Sequence, residues 1–257
     1  MTRETVVLKI GGSVGAEGAA LSAAVSAYER SRPLIVVHGG GPFVSEWSKR
    51  LGLETRFARG LRVTDAATRD VALAVLAGLA NKTLVAELIA RGVPAVGLSG
   101  VDGATLRAER EDAELGLVGR VSAVESSLLE DLLSAGRVPV VAPAALDPRG
   151  EILNVNADSA AGAIAAAISA RLLVLLTDVP GVRGADGRVL ALLDRERARS
   201  LVESGAVEGG MLPKVEACLV AAAAGCDAAI RAADDATAVE RILSGERAGT
   251  MFPAEAA

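Results

Sequence analysis

Aromatic side chains are scarce in this 257-residue chain, which has three Phe, one Trp and one Tyr. Proteins that grip single-stranded nucleic acid stack bases on aromatic rings, and so few rings provide no such platform. Positive charge is also in short supply, with 27 Lys and Arg against 32 Asp and Glu and a net charge of −5. No basic field is therefore expected for a polyanion or an anionic membrane. One histidine and two cysteines are too few for a zinc cluster. Cys218 and Cys226 match neither the C-x-x-C redox spacing nor a metal-ligand pattern, and read as structural thiols of a reducing compartment. No basic-then-apolar leader precedes the first strand and no uninterrupted apolar run approaches membrane-spanning length, so the cytoplasm is the expected location. The chain also lacks GxxxxGK[ST], and GxGxxG after its first strand, which disfavours P-loop NTPases and dinucleotide-dependent dehydrogenases. No Ser or Cys nucleophile motif supports hydrolysis.

What remains is a chain 51% apolar and 23% charged, with 28 Gly and 9 Pro, the composition of a globular α/β protein. Its length suffices to bury a core without metal or disulfide staples. With few aromatics, Ala, Val, Leu and Ile must fill that core, so Ala-rich helices lie close to what they cover.

Periodicity predicts strands at 5–10, 34–38, 94–98, 171–177 and 227–231 and helices near 18–30, 42–51, 65–91, 157–170, 194–204, 213–225 and 235–244. This is βαβ order, hence a mostly parallel sheet between two helical layers. Pro42 suits the first turn of a helix and Pro33 marks the end of one. Residues 56–63, 103–124 and 145–155 read as hairpins appended to the sheet. The expectation is one domain, 1–257, with an N-terminal lobe to about residue 170 and a C-terminal lobe beyond it.

Chemistry is signalled at the ends of strands. Lys9-Ile-Gly-Gly12 closes the first strand, where open α/β sheets place their ligands, and its glycines let a phosphate approach backbone N–H groups. Taken alone it is equally a tight turn. His38-Gly-Gly-Gly41 offers a second amide-lined site, with His38 read as a structural residue rather than a catalyst. Arg59-Gly-Leu-Arg-Val-Thr-Asp65 supplies guanidinium groups suited to a carboxylate, Arg62 before Arg59, ahead of a helix capped by Thr64 or Asp65. Asn81-Lys82 is expected on a solvated helix face. Asn154-Val-Asn-Ala-Asp158 puts three polar side chains where one cap would do, and Gly209-Gly-Met-Leu-Pro-Lys214 holds a cation at a helix start, a location that repels lysine unless an anion binds. Thr177-Asp-Val-Pro-Gly-Val182 ends a strand of the second lobe on the same sheet edge. Together these favour phosphoryl chemistry, in which fixed dipoles and cations hold a charged group in line.

In this order, and with Val96-Gly-Leu-Ser-Gly-Val-Asp-Gly103 and Gly249-Thr-Met251, the motifs resemble the amino-acid kinase family, specifically its acetylglutamate kinase branch, from about Val6 to Phe252. The resemblance implies an αβα sandwich with an amino-acid-binding N-terminal lobe and a nucleotide-binding C-terminal lobe. It implies phosphorylation of the side-chain carboxylate of N-acetyl-L-glutamate by MgATP, in arginine biosynthesis. Lys9 and Lys214 would neutralise charge on the transferred group, and Asp158 would orient both. Gly40 and Gly41 would present amides to the reacting end of the substrate, Arg62 would bind its α-carboxylate, and Asn154 would complete that site. Gly11 and Gly12 would flank the phosphates. Asp178, Val179, Gly181, Val182, Gly209, Gly210 and Met211 would carry the nucleotide. Mg²⁺ would rest on phosphate oxygens and water, with no protein ligand.

Family members inhibited by arginine carry an additional N-terminal helix that links dimers into hexamers, and this sequence begins at the first strand. A homodimer without that feedback is the expectation, with the 65–91 helix as its interface. Two other readings stand beside this one. A related kinase phosphorylates carrier-linked aminoadipate in lysine synthesis but differs around Gly60-Leu-Arg-Val-Thr64, and a non-catalytic nucleotide-binding protein could share the fold.

Overall fold

The strand Val6–Ile10 (β1) is buried along its whole length, as a continuous Val/Leu/Ile run is in the interior of a parallel sheet. The computed structural model describes residues 4–11, 18–30, 33–233, 238–244, 246 and 248–255. After β1 the chain forms Ala19–Arg30 (α1), Leu34–His38 (β2), Gly41–Arg50 (α2), the short hairpin Phe57–Ala58 (β3) and Leu61–Arg62 (β4), Ala66–Leu73 (α3) and Asn81–Ala90 (α4). A π-helical segment, Ala74–Ala80, joins α3 to α4 in one continuous helix. Then come Ala95–Ser99 (β5), Leu106–Arg110 (β6), Val118–Val124 (β7), Ser127–Ser134 (α5), Val138–Ala142 (β8), Ala144–Leu146 (β9), Ile152–Val155 (β10) and Ala157–Ala167 (α6). The chain finishes with Leu172–Thr177 (β11), Arg195–Glu203 (α7), Leu212–Ala223 (α8), Asp227–Ala232 (β12), Ala238–Leu243 (α9) and Thr250–Phe252 (β13).

Seven strands make one sheet in the order β13-β12-β11-β1-β2-β8-β5. All neighbours are parallel except β12 and β13. Strands from the first part of the chain lie on one side of β1, and those after residue 170 lie on the other. The order therefore reverses at β1, and the crevice at the carboxyl ends of β1, β2 and β11 is where such sheets take ligands. A smaller closed barrel, β10-β7-β6-β9, stands beside the sheet where appended hairpins were expected.

The period-two alternation of strands sorts side chains to two faces. Val6, Leu8 and Ile10 pack with Leu34, Val36, Leu172 and Val174 under α1, α4 and α9. Val7 packs on the opposite side with Ile35, Leu173 and Leu175, under α6 and α8. Lys9 shares the face of Val7, so its side chain emerges beside α6 and α8. These two helices approach closely because their contact is built from small residues, and a Cβ on Gly162 would fall 2.6 Å from the carbonyl oxygen of Ala217. Asp158 lies one helical turn before Gly162, and Lys214 nearly one turn before Ala217, so the crossing sets those two side chains together.

Residues 125–144, unassigned by periodicity, hold α5 and β8. Pro139 argues against an inner strand, since proline cannot donate to a ladder, yet β8 lies between β2 and β5. The ladder between β2 and β8 begins only at Val140, so Pro139 withholds no donor from it.

Candidate active site

A cleft of about 590 Å³ opens at the carboxyl ends of β1, β2 and β11. Lys9, Gly11, Gly40, Gly41, Arg62, Asn154, Asp158, Asp178, Val179, Gly210, Met211 and Lys214 all line it. Residues far apart in sequence and expected to share one site are thus brought into one space.

At its floor Asp158 pairs with two lysines. Lys9 Nζ lies 2.7 Å from Oδ1 and Lys214 Nζ lies 3.0 Å from Oδ2. Lys214 also donates to the carbonyl oxygen of Gly210 at 3.1 Å. Side-chain exposure is 6% for Lys9, 5% for Asp158 and 15% for Lys214. Burial pushes the Lys9 ammonium below the ordinary lysine range, a tendency Asp158 opposes and Lys214 reinforces. Burial also opposes ionisation of Asp158, but the two ammonium groups outweigh it and hold the carboxyl below the usual carboxylate range. Within this triad two cations face one anion, and Asp178, also on the cleft, acts on Lys9 more weakly than Asp158 does; the positive excess at the triad favours an incoming anion.

The three polar side chains before α6 divide the work. Asn156 is the cap, its Oδ1 accepting from the backbone N–H of Asp158 at 2.8 Å and of Ser159 at 3.1 Å. Asp158 is thereby free for the lysines. Asn154 faces the cleft and donates to Thr64 Oγ1 at 3.3 Å, while Thr64 donates to the carbonyl oxygen of Arg62 at 2.7 Å. Asp65, rather than Thr64, caps α3.

Arg62 is 8% exposed. Its Nη2 donates to the Gly41 carbonyl oxygen and to Ser45 Oγ, both at 2.8 Å, and its guanidinium sits 4.9 Å from the Phe57 ring centroid. No ion pair to a carboxylate forms at Arg62 among the described residues. Burial lowers its pKa, but a guanidinium remains charged. A buried, charge-unpaired arginine on a cleft wall is suited to an anionic ligand. Arg59, by contrast, is exposed and pairs with Asp112 at 2.7 Å.

Helix α2 begins at Gly41 with no side-chain cap and with Pro42 in its first turn, so backbone N–H groups there are available to an anion. Gly40 lies directly under Leu76, whose Cδ2 would come within 2.5 Å of a Cβ there and have to move aside. On the opposite wall the hairpin tip at Gly60 meets the glycine turn, and a Cβ on Gly60 would lie 3.3 Å from the Gly209 backbone.

Gly181, Val182 and Gly209 do not line the cleft. Val182 is buried in the apolar core and its N–H donates to Thr250 Oγ1 at 2.8 Å. A Cβ on Gly181 would lie 2.6 Å from that same oxygen. These two anchor the 178–183 segment against β13. Gly12 lies outside the described residues.

Asn81 and Lys82, expected on a solvated face, separate. Lys82 is exposed, but Asn81 is fully buried and its Nδ2 contacts His38 Nε2 at 3.1 Å. Helical periodicity gave no sign of this, because a polar residue between apolar turns reads as a solvent position until tertiary partners appear. His38 is buried, does not line the cleft, and hydrogen-bonds through Nδ1 to the Gly39 carbonyl oxygen at 2.9 Å.

Residues 4–232 match the sequence model of the Amino acid kinase family. The chain is 54% identical over 206 residues to the acetylglutamate kinase of Methanopyrus kandleri, a match covering 76% of this chain and 84% of that one. It is 48% identical over 236 residues to the acetylglutamate kinase of Symbiobacterium thermophilum, with 85% and 80% covered. Among solved structures it is similar to smu.665 from Streptococcus mutans, with a TM-score of 0.82, 25% identity and coverage of 99% and 100%. It also shares its fold with the N-acetylglutamate synthase of Neisseria gonorrhoeae complexed with coenzyme A and N-acetyl-glutamate, at TM-score 0.79 and 24% identity, covering 100% of this chain and 61% of that one.

Proposed function

The chain belongs to the amino acid kinase family, and on that premise we propose that it is an ATP-dependent acetylglutamate kinase. It phosphorylates the side-chain carboxylate of N-acetyl-L-glutamate, forming N-acetyl-L-glutamyl 5-phosphate in arginine biosynthesis. The observation that carries this reading is Asp158 held between Lys9 and Lys214, in a cleft whose wall presents the charge-unpaired Arg62. A protein that only binds nucleotide has no need of two cations converging on one carboxylate at the sheet edge.

In this reaction a carboxylate oxygen of the acceptor attacks the γ-phosphorus. The bond from that phosphorus to the bridging oxygen breaks, and ADP leaves with the electron pair. The acceptor is already ionised at neutral pH, so no proton moves and no general base is required. This accords with the position of His38 outside the cleft lining. Catalysis is then positioning and charge stabilisation.

Lys9 and Lys214 neutralise charge on the transferred group, and Asp158 fixes both ammonium groups. Backbone N–H groups of Gly40 and Gly41 receive the reacting end of the acceptor. Arg62 takes its α-carboxylate and Asn154 its acyl-amino portion. Gly11 flanks the phosphates, while Asp178, Val179, Gly210 and Met211 carry the nucleotide. Gly181 and Val182 hold the Asp178–Val179 end of that wall against Thr250, and Gly209 meets Gly60 at its edge. Among the described residues no three His, Cys, Asp or Glu side chains converge on a metal position, and Asp158 is committed to lysines. Mg²⁺ would enter this site with the nucleotide rather than on a protein ligand, and would supply neutralisation of phosphate charge.

The lobe up to about residue 170 carries the amino acid and the lobe after it the nucleotide. The protein works in the cytoplasm as a homodimer. Among the described residues the helix Ala66–Ala90 alone is long and apolar enough, by length and composition, to cross a membrane. Asn81 ties it to the sheet, and Leu79 and Ile89 are 49% and 56% exposed on its outer surface, which suits a second copy.

The test is ADP release by purified protein with MgATP. Release that depends on N-acetyl-L-glutamate and falls in Lys9→Ala and Lys214→Ala supports the reading. ATP binding without turnover on any carboxylate refutes it.

A further inference from the structure

The phosphoryl-transfer reading leaves one buried polar cluster without a task, the contact between the end of β2 and the joint of the π segment with α4. Asn81 is fully buried and its Nδ2 faces three strands, β8, β5 and β2. It lies 2.9 Å from the Val140 carbonyl oxygen, 3.4 Å from the Leu98 carbonyl oxygen and 3.1 Å from His38 Nε2. Its Oδ1 accepts from Lys82 Nζ at 2.9 Å. Gly97 is required beside it, because a Cβ there would fall 2.1 Å from Asn81 Oδ1.

An amide nitrogen only donates, so His38 Nε2 must accept, and Nδ1 then carries the proton given to the Gly39 carbonyl oxygen at 2.9 Å. One tautomer of a neutral imidazole satisfies both contacts. The peptide thus held is the first of the Gly39–Gly41 loop, whose next two residues line the cleft. The same helix presses on that loop a second time, through Leu76 against Gly40. π-helical segments frequently accompany functional sites, and this one aligns both contacts on a single loop.

We propose that His38 and Asn81 are positioning residues, which fix the tautomer of the imidazole and through it the direction of the Gly40 and Gly41 N–H groups toward the reacting group. The proposal rests on the assignment of those amides to the phosphoryl-transfer site. A chain that orders the loop in advance avoids reorganising it during the transfer.

The test uses two isosteric variants and the fact that the chain has one histidine. His38→Gln keeps the acceptor facing Asn81 and loses the donor to Gly39, whereas His38→Asn keeps the donor and loses the acceptor. His38→Gln is expected to melt close to wild type but to lose about ten- to hundred-fold in kcat, with KM for ATP within about two-fold. His38→Asn is expected to recover part of that loss. Nitrogen-15 spectra of the single imidazole should show the Nδ1–H tautomer in wild type. In Asn81→Ser the tautomer balance should change and the amide signals of Gly40 and Gly41 should move. A folded His38→Gln with wild-type kcat, or an Nε2–H tautomer in wild type, overturns the proposal. Should wild type phosphorylate no acyl amino acid, the functional reading fails by itself. The spectra then decide, with Gly40 and Gly41 signals that ignore Asn81→Ser overturning the proposal and signals that move upholding it.

Discussion

The ammonium of Lys9, on the first strand, stands 2.7 Å from Oδ1 of Asp158, on the first turn of α6. Each of the two is only about one-twentieth exposed. The other carboxylate oxygen belongs to Lys214, so one buried anion sets the position of two cations.

Asp158→Asn removes the charge but keeps the shape. Two lysines would then share a buried site without their paired carboxylate, and the fold should lose about 3–5 kcal/mol, the scale of breaking a buried pair. The expected results are a lower Tm, part of which MgATP restores, and a kcat reduced by about 10²–10³. Calorimetry with and without nucleotide, beside steady-state kinetics, checks both.

Lys214→Ala removes one donor aimed at the transferred group. Its kcat should fall by about 10²–10³. An unchanged kcat would remove Lys214 from the transition state.

Arg62→Ala deletes the charge-unpaired guanidinium on the acceptor wall. Its expected signature is a raised KM for N-acetyl-L-glutamate with KM for ATP unchanged, because uniform binding is what is lost. A raised KM for ATP with a normal acceptor KM would move Arg62 to the nucleotide side.

His38 gives a pH dependence of stability. Burial, the largest cause, lowers its pKa from the ordinary 6.5, with the nearby Lys82 charge acting in the same sense and the Gly39 hydrogen bond opposing them. The unfolded chain therefore takes up a proton that the folded one refuses. That stability is present above pH 6.5 and is lost as pH falls from there through the folded value. Tm measured from pH 8 to pH 5 should decline in wild type and decline less in His38→Gln. Asp158, whose folded pKa is lowered from 3.8, contributes a separate loss only below about that pH.

Leu79→Arg places charge on the exposed apolar side of the Ala66–Ala90 helix. Light scattering should give a dimer for wild type and a monomer for the variant. A wild-type monomer or hexamer contradicts the proposed assembly.

Much of this was legible because the site is built at strand ends. Lys9, the triple glycine after His38, Arg62 and the Asn154 to Asp158 run each stand where a strand meets a turn or helix, and their residue types exceed what turns and caps require. The αβα layering followed from alternating Val-rich and Ala/Leu-rich runs. The strand β8, Val138–Ala142, was left unassigned, and its second residue, Pro139, is of a type rarely found in an inner strand. The two hairpins of the barrel, β6 with β7 and β9 with β10, fell on runs read as hairpins; their closure through the parallel pairs of β10 with β7 and β6 with β9 was hidden, because it joins segments distant in sequence. Asn81 was hidden for a different reason. Its burial depends on three strands distant in sequence, β2, β5 and β8, which helical spacing does not encode. Val182 and Gly181 carried the right motif, but the structure turns them toward Thr250 and leaves Asp178 and Val179 at the cleft.

The most direct measurement traps the product. Purified protein, MgATP and hydroxylamine are incubated with N-acetyl-L-glutamate, free glutamate, aspartate or carrier-linked aminoadipate, and acyl phosphate is read as its hydroxamate. Hydroxamate with N-acetyl-L-glutamate, and with none of the other three, is the predicted result. Hydroxamate formed only with another carboxylate would contradict the assignment of Arg62 and Asn154, and none with any carboxylate, despite bound ATP, would contradict the account of Lys9, Asp158 and Lys214 as a phosphoryl-transfer site.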